Sequence, residues 1–537
     1  MTHVGAALRG RPSVATPPWP PSLAALLAVK RLRFQTGAAT EGRPYRSLMI
    51  RTLKVTQVDG TLTGASRIEQ SLAAPFAVFA LGAGSACLYF WGRDLHRFTQ
   101  WIAAFIGLFV GQLAFYLAST YVVVRWSSRS SRLARYLTVG LVILFAVGFR
   151  AMLVPQRPYL SADVYRYVWD GRVQTEGINP YRYAPDAGEL SSLRDDRIFP
   201  NITDDDKRWL SPYPPAAQFV FFAAALIRPM SVTTMKAMMA SFDLLTMLLL
   251  MLVLSRSGLD PARAIIFAWH PLLIFEGAHS GHIEAVFIAF LALALFAWST
   301  RNDALTGVAL AIATLVKFYP VLLLPAFLIA RSDTEINSGA DSRDGIVRRL
   351  LNRVAHKRNL VLVSAFLVIL TVAYVPYIGA GANLFGFLQK YVQEEGFVQS
   401  GARYFLLDAL RTVLPIPTSM FLMLAAAGLI VVAVWCLIRR KRDMVDVARA
   451  ATALIGCYLL LTTPRYAWYY AWLVPFLALV PRAGWLYLTC ASALLYLVWY
   501  TPLVYPEIPL WLGWCIFSPV IGWVAWDRLS GRSEYRL

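Results

Sequence analysis

The chain has 537 residues, of which 58% are hydrophobic and only 15% are charged, and its formal net charge is +20. Soluble globular proteins carry about a quarter charged residues, so this composition excludes an ordinary soluble domain. The basic residues stand in short clusters beside apolar segments, which is typical of membrane-protein loops and not of a nucleic-acid-binding face. We therefore expect no nucleic-acid partner.

Residues 1–70 differ in character from the rest of the chain. The stretch TPPWPPS, residues 16–22, cannot hold a helix because proline lacks a backbone donor and fixes φ. Basic residues outnumber acidic residues in this range. The sequence predicts a cytoplasmic, mostly disordered basic tail over residues 1–70.

From residue 71 onward, apolar segments recur at about 17 to 25 residues, the length that crosses a hydrocarbon core about 30 Å thick. They include Phe76–Trp91, Trp101–Val124, Tyr136–Val154, Ala237–Leu254, Ala285–Trp298, Leu360–Tyr377, Phe421–Ile438 and Trp485–Tyr500. The 17 Trp and 25 Tyr residues fit aromatic belts at the membrane interfaces. We predict an all-α polytopic membrane protein that is surrounded by membrane lipids.

The basic clusters set the expected topology, because cytoplasmic loops are enriched in Lys and Arg. The clusters lie in residues 125–135, 343–358 and 439–442. If they and a C-terminal tail over 528–537 are cytoplasmic, residues 156–211 form an outer loop. Several prolines interrupt residues 212–329, as happens where membrane backbone lines a cavity, and the number of spans there stays open.

The outer loop begins with a polar and aromatic stretch, YLSADVYRYVWDGRVQTEGINPYRY, over residues 159–183. Helical spacing places four side chains on one face, namely Asp163, Arg166, Tyr167 and Asp170. Ser161 is a candidate N-cap and Gly177 a candidate stop, which predicts a short amphipathic helix in the membrane interface. Two interpretations of Asp163 remain: a catalytic carboxylate facing a cleft, or an acidic residue that complements the helix dipole.

A second polar set lies between apolar flanks in WHPLLIFEGAHSGHIEAVF, residues 269–287. Its ionisable members are His270, Glu276, His279, His282 and Glu284. Such groups are costly in a membrane, so they usually face a cavity or have partners. The set either binds an anionic ligand or forms a solvated loop at the interface. The spacing is not HExxH, and we expect no zinc site.

Two cationic residues stand in aromatic or apolar surroundings. Lys317 interrupts the apolar run VKFYPVLLLP, and Arg465 opens the aromatic run PRYAWYYAWLVP. Lys317 either binds an anion such as a phosphate or extends its ammonium to the interface. The Arg465 run, which includes Trp468 and Tyr469, fits an interfacial belt and also a pocket for a sugar or a lipid phosphate.

Five motifs in this order resemble the polyprenyl-phosphate-sugar-dependent glycosyltransferases of the GT-C superfamily, most closely the bacterial family 87 of the mannosyltransferase type. The motifs are DVYRYVWDGRVQTEGINPYRY, SPYPPAAQ, HPLLIFEGAHSGHIEA, LVKFYPVLLLP and PRYAWYYAWLVP. The resemblance spans about residues 136–526. It implies a catalytic transmembrane helical bundle over residues 134–527, roofed by loop 156–211, with two additional transmembrane helices in 71–133.

The resemblance also implies a mechanism. A sugar, mannose in the related enzymes, would pass with inversion from a polyprenyl-phosphate donor to a lipid or glycan acceptor. Asp163 matches the catalytic acidic residue. For the donor phosphate we expect Lys317, Arg465, His279 and His282. For substrate binding we expect Arg166, Tyr167, Asp170, Asn179, Tyr181, Glu284, Trp468 and Tyr469. No cofactor is expected, and a divalent metal lacks support because Ala162 and Val164 flank Asp163 where the family often has a second acidic residue.

The expected location is the inner (plasma) membrane, with the active site at the outer, periplasmic face.

Two other classes of protein remain compatible with the residues. A secondary transporter would also hold His, Glu and Lys in the membrane, although no internal repeat is visible. A non-catalytic lipid-binding protein would make Asp163 dispensable.

Overall fold

The computed structural model describes residues 64–93, 95, 101–126, 130–329, 355–385, 404–439, 441–500 and 508–529. The chain divides into two compact units, residues 1–73 and 74–537, and of the first only 64–73 are described. The predicted tail therefore lies outside the described residues, except that 64–70 are helical. Residues 343–354 of the second basic cluster and residues 530–537 of the predicted C-terminal tail also lie outside the described residues.

All regular elements in the described ranges are helical. We label those of 13 residues or more: α1 (Gly64–Gly92), α2 (Trp101–Trp126), α3 (Arg132–Leu153), α4 (Asp163–Thr175), α5 (Pro215–Ile227), α6 (Val232–Arg256), α7 (Glu284–Ser299), α8 (Asp303–Val316), α9 (Lys357–Val372), α10 (Thr418–Ile438), α11 (Met444–Thr462) and α12 (Leu510–Leu529). Shorter pieces join them. The predicted all-α fold is confirmed.

Six helices in the described ranges are long and apolar enough to cross a membrane. They are Leu72–Gly92 within α1, then α2, α3, α6, α10 and α11. This arrangement is that of a multi-pass membrane protein, because a span of about 20 apolar residues satisfies its own backbone groups inside the hydrocarbon. Shorter apolar helices, among them α5, α7 and α8, pack between these candidate spans and against one another.

Three predicted spans are not single helices of membrane-spanning length, because one is short and two are broken. Ala285–Trp298 lies in α7, which has only 16 residues. Leu360–Tyr377 breaks after α9, where the next segment, Val375–Phe385, is bent away by 80°. Trp485–Tyr500 divides into Ala483–Ala491, the 3₁₀ turn Ser492–Leu495 and Tyr496–Tyr500. The bend has a local cause, because Pro376 disfavours a helical conformation in Val375 and cannot donate to the preceding turn.

The directions of the central helices follow from their terminal contacts. Glu284 at the start of α7 pairs with Lys317, directly after α8, so these two helices run antiparallel. Arg358 at the start of α9 pairs with Asp303 at the start of α8 at 2.7 Å, so α8 and α9 run parallel. We call the end marked by Glu284 and Lys317 the site end, and the end marked by Asp303 and Arg358 the basic end.

A buried lysine extends the basic end. Lys441 lies within the third basic cluster, and its Nζ donates to the carbonyl oxygens of Pro325 and Leu328, each at 2.7 Å. The neighbouring Ile329 exchanges two hydrogen bonds with the side chain of Asn359, beside Arg358. The parts of the second and third basic clusters that are described therefore meet at one end of the helices, away from the outer loop.

Candidate active site

Asp163 is the first residue of α4, and the N-cap is Ala162 and not the predicted Ser161. Its backbone N–H donates to Ser161 Oγ at 3.2 Å, and the same hydroxyl lies 3.1 Å from Asp163 Oδ1. Gly177 ends the helix with φ +73°. The helix is not half-solvated as an amphipathic helix would be, because both of its faces are buried in the protein and it packs against α5. Asp163 itself stays 29% exposed.

An irregular segment brings the second polar set to Asp163. Residues Ile274–Ser280 form a π-helix, which ends at Gly281 in the left-handed conformation. The backbone N–H of His282 then donates to the Glu276 carbonyl at 2.9 Å, which closes the turn. As a result, His282 lies between α4 and the start of α7, and short π-helical segments of this kind are frequent at functional sites.

His282 is the centre of the cluster, and its side chain is fully buried. Its Nδ1 lies 3.7 Å from Asp163 Oδ2 and 3.8 Å from Glu284 Oε2, while its Nε2 lies 3.4 Å from Glu276 Oε2. These distances exceed a normal hydrogen bond. Three carboxyl groups therefore surround one imidazole, and only the Asp163 carboxyl is open to solvent.

Burial sets the protonation of this cluster. Glu276 and His282 lie outside the six candidate spans. Burial raises the pKa of the Glu276 carboxyl to about 8, against the effect of a hydrogen bond from Tyr496. Burial also lowers the pKa of the His282 imidazole to about 4. Both groups are therefore largely uncharged near pH 7.

Lys317 is paired with a carboxylate of the protein that lies 33 positions earlier in the chain. Its Nζ contacts Glu284 Oε1, and both side chains are almost fully buried. The ammonium also lies 4.8 Å from the centre of the Tyr469 ring. A buried cation is tolerated when it is paired in this way. Lys317 thus stands beside the His282 cluster, joined to it through Glu284.

Aromatic rings cover one side of His282. Trp468 stacks on the imidazole with ring centroids 4.1 Å apart and planes 26° apart. Tyr466 in turn stacks on Trp468 at 4.4 Å. Trp468 and Tyr469 belong to the 3₁₀ helix Ala467–Leu473, and Arg465 lies half-buried just before it. The aromatic run that the sequence singles out is therefore part of the cluster.

Arg166 and Asp170 are engaged elsewhere. Arg166 Nε donates to Asp170 Oδ1 at 2.8 Å, and its two terminal nitrogens donate to the Asp206 and Trp209 carbonyls. The other Asp170 oxygen accepts hydrogen bonds from the side chains of Ser211 and Gln218. The two residues expected to bind substrate therefore fasten α4 to the motif SPYPPAAQ.

Asn179 and Tyr181, also expected to bind substrate, hold the outer loop to the segment after α9. Asn179 Nδ2 donates to the Tyr377 carbonyl at 3.0 Å, and Tyr181 Oη donates to the Tyr213 carbonyl at 2.6 Å. The Tyr377 hydroxyl reaches Gln174 in α4 at 3.0 Å. These contacts hold the segment GINPY, residues 177–181, against the chain after α9 and against Tyr213.

The remaining candidates lie near the cluster with other neighbours. Tyr167 stacks on Phe221 of α5 at 4.6 Å, and burial raises its pKa well above the usual value, with the nearby Asp163 carboxylate adding to the effect. His279 packs its ring against Tyr159, with centroids 4.1 Å apart. His279 is buried, but it lies in the aromatic packing between the π-helix and the outer loop.

No group of three or more His, Cys, Asp or Glu residues in the described ranges is arranged to hold a metal ion. The acidic run Asp204–Asp206 forms a short helix whose N-cap is Thr203. Asp204 pairs with Lys207, and that hydrogen bond lowers the pKa of the Asp204 carboxyl. The run is therefore explained by local helix capping and a surface ion pair.

Sequence reasoning missed distant residues that complete the His282 cluster and the neighbouring Arg166–Asp170 network. Tyr496 donates to Glu276 from 220 positions further along the chain, and Gln218 donates to Asp170 from 48 positions away. Tyr496 stands in an apolar segment and carried no signal of its own. Gln218 stands in the motif SPYPPAAQ, but the sequence does not indicate that it pairs with Asp170.

Two family models match the chain. The model described as alpha-(1->6)-mannopyranosyltransferase, N-terminal domain, matches residues 72–332, and the model described as glycosyltransferase family 87 matches residues 209–464. Together they cover the elements that carry Asp163, His282 and Lys317. Both describe glycosyltransferases, which favours an enzyme over a transporter or a non-catalytic lipid-binding protein. No curated protein matches the chain.

Proposed function

We propose that this chain, a membrane mannosyltransferase that belongs to the GT-C glycosyltransferases of the family 87 type, transfers mannose from a polyprenyl-phosphate donor to a lipid or glycan acceptor, with inversion at the anomeric carbon. The supporting observation is the cluster around His282. There a partly exposed carboxylate, Asp163, stands beside buried polar atoms of His282 and Glu284 that make no hydrogen bond within the described part of the chain.

Asp163 is the general base in this proposal. The acceptor hydroxyl oxygen attacks the anomeric carbon, the bond from that carbon to the phosphate oxygen breaks, and the hydroxyl proton passes to the Asp163 carboxylate. A base must be reachable by the acceptor. Of the three carboxyl groups around His282, that of Asp163 is 29% exposed, whereas those of Glu276 and Glu284 are buried.

His282 supports the base through its tautomer. A protonated Glu276 faces Nε2 of the imidazole, so we assign the imidazole proton to Nδ1, on the side of Asp163. A neutral ring that points an N–H toward Asp163 favours the ionised carboxylate before the reaction. Stacking on Trp468 fixes the plane of the ring.

Lys317 is the proposed cation for the leaving phosphate. Glu284 neutralises Lys317 before the donor binds. The ion pair already holds the ammonium beside the His282 cluster. Negative charge that develops on the phosphate would be stabilised by a cation held in this way. Arg465, His279 and His282 are the other proposed donor-phosphate contacts, and Trp468 and Tyr469 are the proposed aromatic contacts of the sugar.

We place the active site at the outer, periplasmic face of the inner (plasma) membrane. Support comes from charge: the basic end carries the described members of two basic clusters, and cytoplasmic loops are enriched in Lys and Arg. The outer loop and the His282 cluster meet at the other end. A lipid-linked donor would reach that end from the outer leaflet.

The donor is tested with purified protein in liposomes and a panel of radiolabelled polyprenyl-phosphate sugars. We expect transfer from the mannose donor at the highest rate, with Asp186→Asn, an exposed aspartate of the same loop, as a variant that retains wild-type turnover. Transfer from a nucleotide sugar and from none of the lipid-linked donors would contradict the proposal.

The membrane face is tested by thiol labelling in intact cells. Cys87 and Cys515 are exposed in the structure, so both are first replaced by serine. A cysteine at the exposed Ser191 should then react with an impermeant reagent from outside, and one at Ser342, which lies outside the described residues, should not. The reverse pattern would place the site on the cytoplasmic face.

A further inference from the structure

Two charged residues of α6 join this helix to the end of α3. Lys236 donates from Nζ to the backbone carbonyls of Leu153, at 3.1 Å, and Gln156. Two turns further along α6, Asp243 accepts a hydrogen bond from Arg150 Nε at 3.2 Å. All of these side chains are buried. The outer loop follows directly after the carbonyls that Lys236 holds.

The same two side chains contact the π-helical segment. A Cβ added at Gly281 would lie 2.9 Å from Lys236 Cγ and 3.1 Å from Val164 Cγ2, and Gly281 has φ +76°. A Cβ added at Gly277 would lie 2.9 Å from Asp243 Cγ. Both glycines therefore allow the segment to approach α6 more closely than any other residue would.

We propose that Lys236 is a positioning residue for the transfer reaction, which fixes the distance between Asp163 and His282. This inference rests on the proposed function of the site. Val164 follows Asp163 and Gly281 precedes His282, and the Lys236 and Val164 side chains both lie against Gly281. Lys236 thus holds the end of α3 to the turn before His282, and Val164 brings the start of α4 to the same turn.

The amine of Lys236 suits this role. The last carbonyl groups of a helix have no intrahelical donor. Lys236 donates to the carbonyl of Leu153, the last residue of α3, and to that of Gln156 just beyond it. An apolar side chain of the same length would keep the packing against Gly281 but would release the end of α3.

The test compares Lys236→Met with Lys357→Met, an exposed lysine at the start of α9. A displacement of the base by about 1 Å costs on the order of 100-fold in rate. We expect kcat to fall by about 10- to 100-fold in Lys236→Met, with the donor and acceptor KM within about threefold of wild type. The Lys357 variant should match wild type. A kcat within twofold, or a loss carried by KM alone, would overturn the proposal.

A second variant keeps the test decisive if Lys236→Met fails to fold. Glutamine retains N–H donors but is shorter and uncharged, so folded Lys236→Gln should also lose kcat. Wild-type kcat in that variant would reject the role.

Hydrogen exchange gives a readout that does not need turnover. Exchange should rise in peptides covering residues 150–165 and 276–284 of the variant and stay unchanged in α8. If wild-type protein transfers no sugar, the proposed function fails, while this exchange pattern still decides whether Lys236 positions the two segments. Unchanged exchange in both peptides would refute it.

Discussion

Two buried ion pairs near the site differ in how completely the protein satisfies them. Arg166 and Asp170, within α4, form the first pair. Their further partners come from the outer loop and α5, namely the carbonyls of Asp206 and Trp209 and the side chains of Ser211 and Gln218. Both oxygens of Asp170 accept hydrogen bonds. This pair is a closed network.

Lys317 and Glu284 form the second pair. Glu284 uses one oxygen for Lys317, while its other oxygen makes no hydrogen bond in the described ranges and lies 3.8 Å from His282 Nδ1. Neither ring nitrogen of His282 makes one there. Buried polar atoms are nearly always hydrogen-bonded, so an open set of this kind is where a ligand's own polar groups fit. The closed network supports the fold, and the open one is the candidate for chemistry.

The largest expected effect belongs to Asp163→Asn. Removing a general base lowers turnover by about 10²- to 10⁴-fold, because the acceptor proton loses its destination. Folding should be retained, since the side chain is partly exposed and an amide keeps its shape. Turnover is measured with the lipid-linked donor, and thermal unfolding serves as the control. Near-wild-type turnover would remove Asp163 from the mechanism.

Lys317→Met should lower turnover by about 100-fold and weaken donor binding, because the leaving phosphate loses its cation. It should also destabilise the protein by about 3–5 kcal/mol, since Glu284 is left as an unpaired buried charge. Adding Glu284→Gln should restore stability but not turnover. If the double variant recovers both, the pair is structural and the phosphate contact passes to Arg465 or the histidines.

Asp170→Asn should have the smallest effect on turnover and a clear effect on stability. Breaking the closed network costs about 3–5 kcal/mol because Arg166 is left buried without its carboxylate. Turnover per folded molecule should stay within about threefold of wild type, measured with the fraction folded determined alongside. A raised donor KM at unchanged stability would instead return Asp170 to the substrate-binding set that the sequence predicts.

Much of the cluster could be predicted from local patterns. His282 and Lys317 stood out because an ionisable residue in an apolar surrounding is costly, and Trp468 stood out through the aromatic run beside Arg465. Asp163, Arg166 and Asp170 stood out together on one face of the predicted helix, yet the further partners of Arg166 and Asp170 come from residues 206–218. The sequence alone does not show whether a buried polar group is satisfied by another residue of the protein or by a ligand, because either partner removes the energetic cost.

The sequence by itself determined the class of fold, since apolar segments of membrane-spanning length satisfy their backbone groups best as helices. It also determined the end of α4, at Gly177 with its positive φ, and the start to within one residue, since Ala162 and not the predicted Ser161 is the N-cap. Only the tertiary structure decided which polar groups meet. Glu284 and Lys317 are 33 positions apart, and Tyr496 and Glu276 are 220. Such pairings depend on helix directions and on the π-helical turn before His282, and no local pattern encodes them.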